Sequence, residues 1–229
     1  MIHIDSLCFV SRKLDALGIN FAFVDGGIIE LLVDEPSLID FRPTIDVDVI
    51  VEAIGQYDYS RLEEKFREAG FENDTREDAP ICRWILENIT VDIMPIEATN
   101  LGLNCRWFPE ALTESITVKV QNLNTKLKVI SQPYFIATKV EAFKDRGNKD
   151  FYASHDIEDL ITLIDGCSSI VSLIKPSSKP LKTYLRKELS KFMNDSNFQE
   201  AIAGHLPPDS ASQQRLPIII ERIKGIIMA

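Results

Sequence analysis

Three aspartates and a pair of glycines define the chemistry open to this chain. Asp46 and Asp48 stand at alternate positions of Thr44-Ile45-Asp46-Val47-Asp48-Val49-Ile50-Val51, and Asp92 stands between Val91 and Ile93 in a second apolar run. On a strand, side chains two residues apart point the same way, about 7 Å from one another. Carboxylates buried together need cations or hydrogen bonds to compensate them, and their hard oxygen donors suit Mg²⁺ or Mn²⁺. A third Asp from a neighbouring strand completes a site for one or two such ions that leaves positions for substrate phosphates. Gly26 and Gly27 follow a strand candidate, Phe21–Val24, and precede a helix candidate over 28–33. Glycines let a ligand approach the backbone, and a helix start points N–H groups at an anion. Together these parts are the equipment of phosphoryl or nucleotidyl transfer, where catalysis is largely positioning and charge neutralisation.

The elements that must position these residues can be read from hydrophobic spacing. Residues 5–17 have apolar residues at Leu7, Val10, Leu14 and Leu17, a helical period that Gly18 ends. Residues 45–51 are β-branched apart from the two Asp and read as a buried strand. A charged amphipathic helix over 57–70 carries Leu62, Phe66 and Ala69 as its buried stripe. Strands over 81–86 and 89–93 flank Glu87-Asn88, which suits a hairpin, and 116–120 and 127–130 form another pair. A loop holds Asn104, Cys105, Arg106, Trp107 and Phe108. From Tyr134 onward the pattern is helical. Ile136, Val140 and Phe143 mark one buried face with Lys139 and Arg146 at its border, and Gly147 closes that helix. Ser154 suits the N-cap of the next, which holds Asp156 and Asp159 near its start. Further helices are expected over 169–174, 181–193, 198–203 and 216–227. The expected fold is α/β (α+β): a core over 1–130 with a small mixed sheet flanked by helices, then a helical portion over 131–229.

The 229 residues carry a net charge of −10, with 45% hydrophobic residues. Residues 1–130 hold 12 basic and 23 acidic side chains, and 131–229 hold 13 and 12, so the excess acidity lies in the first part. A diffuse basic field for nucleic acid is absent, and a polyanionic partner needs a local basic patch or bridging metal. No apolar run approaches the roughly 18 to 20 residues of a membrane span, and the N-terminus lacks a signal-peptide pattern. Cys8, Cys82, Cys105 and Cys167 show no paired spacing, which argues against zinc and a disulfide framework. A cytoplasmic location is the expectation.

The order Gly26-Gly27, Thr44-Ile45-Asp46-Val47-Asp48 and Asp92 resembles the DNA polymerase beta-like nucleotidyltransferase superfamily. Lys139-Val140-Glu141-Ala142-Phe143-x-x-Arg146, followed by Asp156-x-x-Asp159-Leu160, resembles the AbiEii/AbiGii-type nucleotidyltransferases of abortive-infection and toxin–antitoxin systems. The resemblance covers roughly residues 21–164. It implies that Asp46 and Asp48 bind catalytic metal and that Asp92 helps to activate the attacking hydroxyl. It further implies that Gly26, Gly27 and Thr44 hold the triphosphate, that Lys139 and Arg146 contact nucleotide phosphates, and that Asp156 or Asp159 is the last acidic residue. The implied reaction moves a nucleoside monophosphate from an NTP to the hydroxyl of an RNA or tRNA end or of a protein, and an antitoxin is an implied partner. Glu30, where small residues often follow the glycines, and the lengthened segment 150–155 depart from the pattern.

Each residue also has a plainer reading. Asp46 and Asp48 could be solvent-facing charges, and Glu97 could replace Asp92 as third carboxylate. Lys139 could snorkel from a buried face, and Asp156, Glu158 and Asp159 could serve the helix dipole. Lys182, Arg186, Lys187 and Lys191 could be a solvated helix face or an RNA-contacting patch. Two other functions stand beside the transferase: a catalytically inactive nucleotide-binding or protein-interaction module, and a metal-dependent phosphohydrolase, which three His in the chain do little to support.

Overall fold

A computed structural model describes residues 4–34, 36, 39–97, 104, 106–120, 123 and 125–229, without the side chains of 54–57. The readings made of Cys105 and of the first three residues lie outside this range. In chain order the elements are α1 (Ile4–Ala16), β1 (Phe21–Val24), a 3₁₀ turn (Gly26–Ile28), α2 (Ile29–Leu32), β2 (Asp46–Ile54), α3 (Gly55–Glu68), β3 (Phe71–Asn73), β4 (Arg83–Leu86), β5 (Ile89–Glu97), α4 (Phe108–Thr113), β6 (Ile116–Lys119) and β7 (Lys126–Val129). Helices follow: α5 (Gln132–Arg146), α6 (His155–Gly166), α7 (Ile170–Ile174), α8 (Lys179–Met193), α9 (Ser196–Gly204), α10 (Ser210–Gln213) and α11 (Leu216–Met228). They form two compact units, Met1–Ile28 with Arg42–Ser131, and Ile29–Phe41 with Gln132–Ala229.

The first unit holds one mixed sheet of seven strands in the order β3-β4-β5-β2-β1-β7-β6. Strand β2 runs parallel to β5 and antiparallel to β1. Because side chains alternate across a strand, these registers sort residues onto two faces. One face is core: Trp84, Val91, Ile93, Val47, Val49 and Phe23 are each at most 1% exposed. Helix α3 covers it, with Phe66 edge-on to Trp84 at 5.3 Å, and the Tyr59 hydroxyl donating to the Ile93 carbonyl at 2.6 Å. Each fully buried side chain of this size stabilises the fold by about 1.5–3 kcal/mol. The opposite face carries Arg83, Asp92, Asp46 and Asp48.

Several boundaries differ from the sequence reading. Strand β2 begins at Asp46, and Ile45 is 77% exposed, because the ladder with β5 starts at the pair Asp46 and Thr90. Strand β4 begins at Arg83, with the chain turning before it through an Arg83 N–H to Pro80 carbonyl bond of 2.9 Å. The helix expected over 28–33 is a 3₁₀ turn followed by one α-turn. Elements β3, α4 and α10 have no counterpart in the sequence reading, since three to six residues are too few to show a period.

In the second unit, α2 packs on α6, and Gln132 donates from Nε2 to the Leu32 carbonyl at 3.1 Å. The Asp34 carboxylate accepts from the Ser168 N–H and hydroxyl, both at 2.7 Å, and so ties this segment to the start of α7. The core of the unit includes stacked Phe143 and Phe151, 4.8 Å apart, with Phe192 and Phe198 against them. Ser154 caps α6 by accepting from the Ile157 N–H, as its type and position predict. The mixed sheet with helices, followed by a helical C-terminal portion, is the fold class expected from the sequence. No helix among the described residues is long and apolar enough to cross a membrane.

Candidate active site

The polar face of the central strands is built by register. Asp48 of β2 lies opposite Asp92 of β5, and Asp46 lies two residues before Asp48 on the same face. The pairing sets the two candidates for a third carboxylate apart: Asp92 faces Asp48, whereas Glu97 lies at the exposed end of β5 opposite Ile54. The β4–β5 hairpin turns at Glu87-Asn88 and sets Arg83 opposite Asp92. Arg83 donates from Nε to Asp92 Oδ1 and from one Nη to Asp92 Oδ2, both at 2.7 Å. The same Nη reaches Asp46 Oδ2 at 2.9 Å. One guanidinium thus holds two of the three carboxylates, in the forked geometry that suits Arg.

Arg83 offsets only part of the negative charge of Asp46, Asp48 and Asp92. Burial pushes the Asp46 carboxyl above its ordinary range, the neighbouring Asp92 and Asp25 push the same way, and Arg83 opposes them. Burial, together with Asp92 and Asp48, pushes the Cys82 thiol up to about 12. Burial excludes Cys82 as a nucleophile, since the thiolate is the reactive form.

The Gly26-Gly27 turn leaves β1 through Asp25, whose φ of 66° is left-handed. The strained residue of this turn is therefore Asp25, a type that tolerates that region. A Cβ placed on Gly27 would meet Thr44 Oγ1 at 3.6 Å, an ordinary contact. The fold itself does not demand glycine at 27, whereas close approach of a ligand to the backbone would. Thr44 is buried at 8% exposure, and Glu30 is exposed.

Lys139, Arg146, Asp156 and Asp159 come together within the second unit. Lys139 Nζ donates to Asp159 Oδ2 at 2.6 Å and to Asp156 Oδ1 at 3.3 Å. Arg146 grips Asp156 through Nε at 3.0 Å and an Nη at 2.8 Å. Lys139, Asp156 and Asp159 are 2–4% exposed, so the ammonium is buried and does not snorkel. Two cations matched to two carboxylates make a charge-balanced tie between α5 and α6. Of the basic series on α8, Arg186 donates to the Ile227 carbonyl and Lys191 pairs with Glu188.

A solved structure described as an antigenic nucleotidyltransferase-like protein from Paracoccidioides brasiliensis superposes on this chain with a TM-score of 0.52. The alignment covers 96% of this chain and 90% of that one at 19% identity. The fold is nucleotidyltransferase-like. No protein-family model matches the sequence, and no curated protein matches it. The likeness to that protein is one of fold alone.

On this nucleotidyltransferase-like fold, the donor set of Asp46, Asp48 and Asp92 is all oxygen, which suits Mg²⁺. As they stand, no three acidic, His or Cys side chains among the described residues converge to hold a metal. Their oxygens are of the type that suits the ion, and Arg83 bonds three of them. Arg83 is absent from the sequence reading, yet a signal for it was there. Counting back from a two-residue turn at Glu87-Asn88 pairs 86 with 89 and 83 with 92, which puts an opposite charge across from Asp92.

Proposed function

We propose that this protein is a Mg²⁺-dependent nucleotidyltransferase. The observation that carries the reading is the parallel register of β2 and β5, which sets Asp48 beside Asp92 with Asp46 two residues away. Asp46, Asp48 and Asp92 would hold the metal, which when bound neutralises phosphate charge and favours ionisation of the attacking hydroxyl. The Gly26-Gly27 turn and Thr44 would receive the triphosphate. The acceptor oxygen attacks the α-phosphorus, the bond to the β-phosphate bridging oxygen breaks, and pyrophosphate leaves with that electron pair. The acceptor's proton passes to Asp92 and on to solvent. The acceptor class we propose is the hydroxyl of an RNA or tRNA end or of a protein, and the toxin-type role rests on the AbiEii-like spacing of 139–160.

Incubation with each α-labelled NTP, Mg²⁺ and total RNA or protein tests the reading. The wild type is expected to label one pool, and an Asp46→Ala/Asp48→Ala protein to label none; full transfer by that variant would sink the proposal. One observation favours a second reading, a nucleotide-binding module without chemistry: the Arg83 guanidinium spans Asp46 and Asp92. That reading expects calorimetric NTP binding that is indifferent to Mg²⁺, with no labelled product.

A further inference from the structure

Arg83 makes three charge-assisted hydrogen bonds to two carboxylates, and its side chain is 23% exposed. A guanidinium bonded to both Asp92 oxygens and to Asp46 Oδ2 uses the oxygens that a hard divalent cation would need. Two cations cannot share those lone pairs, and repulsion between them at such range is severe. The reach of Arg83 is fixed by the hairpin. The pair Arg83 and Asp92 is set by a two-residue turn, so its proximity follows from the backbone and not from a chance rotamer. The exposed fraction of the side chain gives it room to withdraw, and Trp84, the next residue of β4, points to the other face.

Resting on the nucleotidyltransferase reading, we infer that Arg83 is a resident counter-cation which competes with the metal for Asp46 and Asp92, so that metal loads only as the guanidinium withdraws. Arg83 holds Asp46 and Asp92 together in the metal-free protein and lowers the affinity of this face for free metal. Arg83 is thus a positioning residue whose release makes Asp92 available.

The test is Mn²⁺ binding to the metal-free protein, followed by electron paramagnetic resonance, in the wild type, Arg83→Gln and Arg83→Lys. Arg83→Gln is expected to bind Mn²⁺ at least tenfold more tightly than the wild type, and adding Asp46→Asn is expected to abolish the gain. Arg83→Lys, which keeps the charge but not the fork, is expected to fall between, and it serves if the Gln variant does not fold. In the same samples, metal-free Arg83→Gln is expected to melt below the wild type at pH 7 and to recover with Mn²⁺. Equal affinities in all three proteins, or lost stability without gained affinity, overturn the inference and leave the metal reading standing. No binding in any of them overturns both.

Discussion

Replacing Lys139 by Met tests whether the buried tie between α5 and α6 holds the second unit together. The ammonium is 3% exposed and lies 2.6 Å from Asp159 Oδ2 and 3.3 Å from Asp156 Oδ1. Met is of similar length and apolar, so the change leaves little cavity and acts mainly on charge. Asp156 keeps Arg146, at 2.8 Å and 3.0 Å. Asp159, also 3% exposed in its side chain, loses its ammonium partner while remaining buried. Removing one partner of a buried pair costs about 3–5 kcal/mol, against a total stability of about 5–15 kcal/mol. For a chain of this size, about 2–4 °C of Tm per kcal/mol gives a fall of about 6–20 °C. Thermal and urea unfolding of wild type and variant measure it. The double variant Lys139→Met/Asp159→Leu should recover most of the loss, because it also removes the buried charge that the ammonium compensated. A loss below about 1 kcal/mol for Lys139→Met, or no recovery in the double variant, would refute the reasoning and return Lys139 to the role of a phosphate contact.

Two further outcomes follow from the site itself. Gly27→Ala should keep the wild-type Tm within about 1 °C, since its Cβ meets only Thr44 Oγ1 at 3.6 Å, yet weaken NTP binding about tenfold in calorimetry; unchanged binding would remove the turn from the site. Asp46→Asn should stabilise the metal-free protein at neutral pH. Burial holds the folded carboxyl above its ordinary 3.8, so the folded state loses stability relative to the unfolded as pH rises through that folded value. The advantage of the Asn variant should therefore vanish below about pH 3.8, where both states are protonated, and a variant less stable than wild type at pH 7 would show that the Arg83 bridge outweighs the burial.

The local pattern of the chain was enough for those parts whose causes are local. Alternation around Asp46 and Asp48 put both on one face, the turn at Glu87-Asn88 gave a hairpin, and Ser154 capped its helix, because periodicity and hydrogen-bonding side chains act over a few residues. Ile45 misled, since an apolar type does not reveal where a ladder starts. Tertiary structure decided what depends on neighbours distant in sequence. The pairing of Asp48 with Asp92 spans a helix and two strands, and only the β2–β5 register shows that Asp92, and not Glu97, stands opposite Asp48. Residues 29–41, counted with the core over 1–130 in the sequence, group with the helical unit, where Asp34 bonds Ser168, more than a hundred residues away. Lys139 looked like a border residue because spacing places a side chain on a helix but says nothing of what packs over it. The carboxylates of α6 cover it, and their depth turns a surface cation into a buried one.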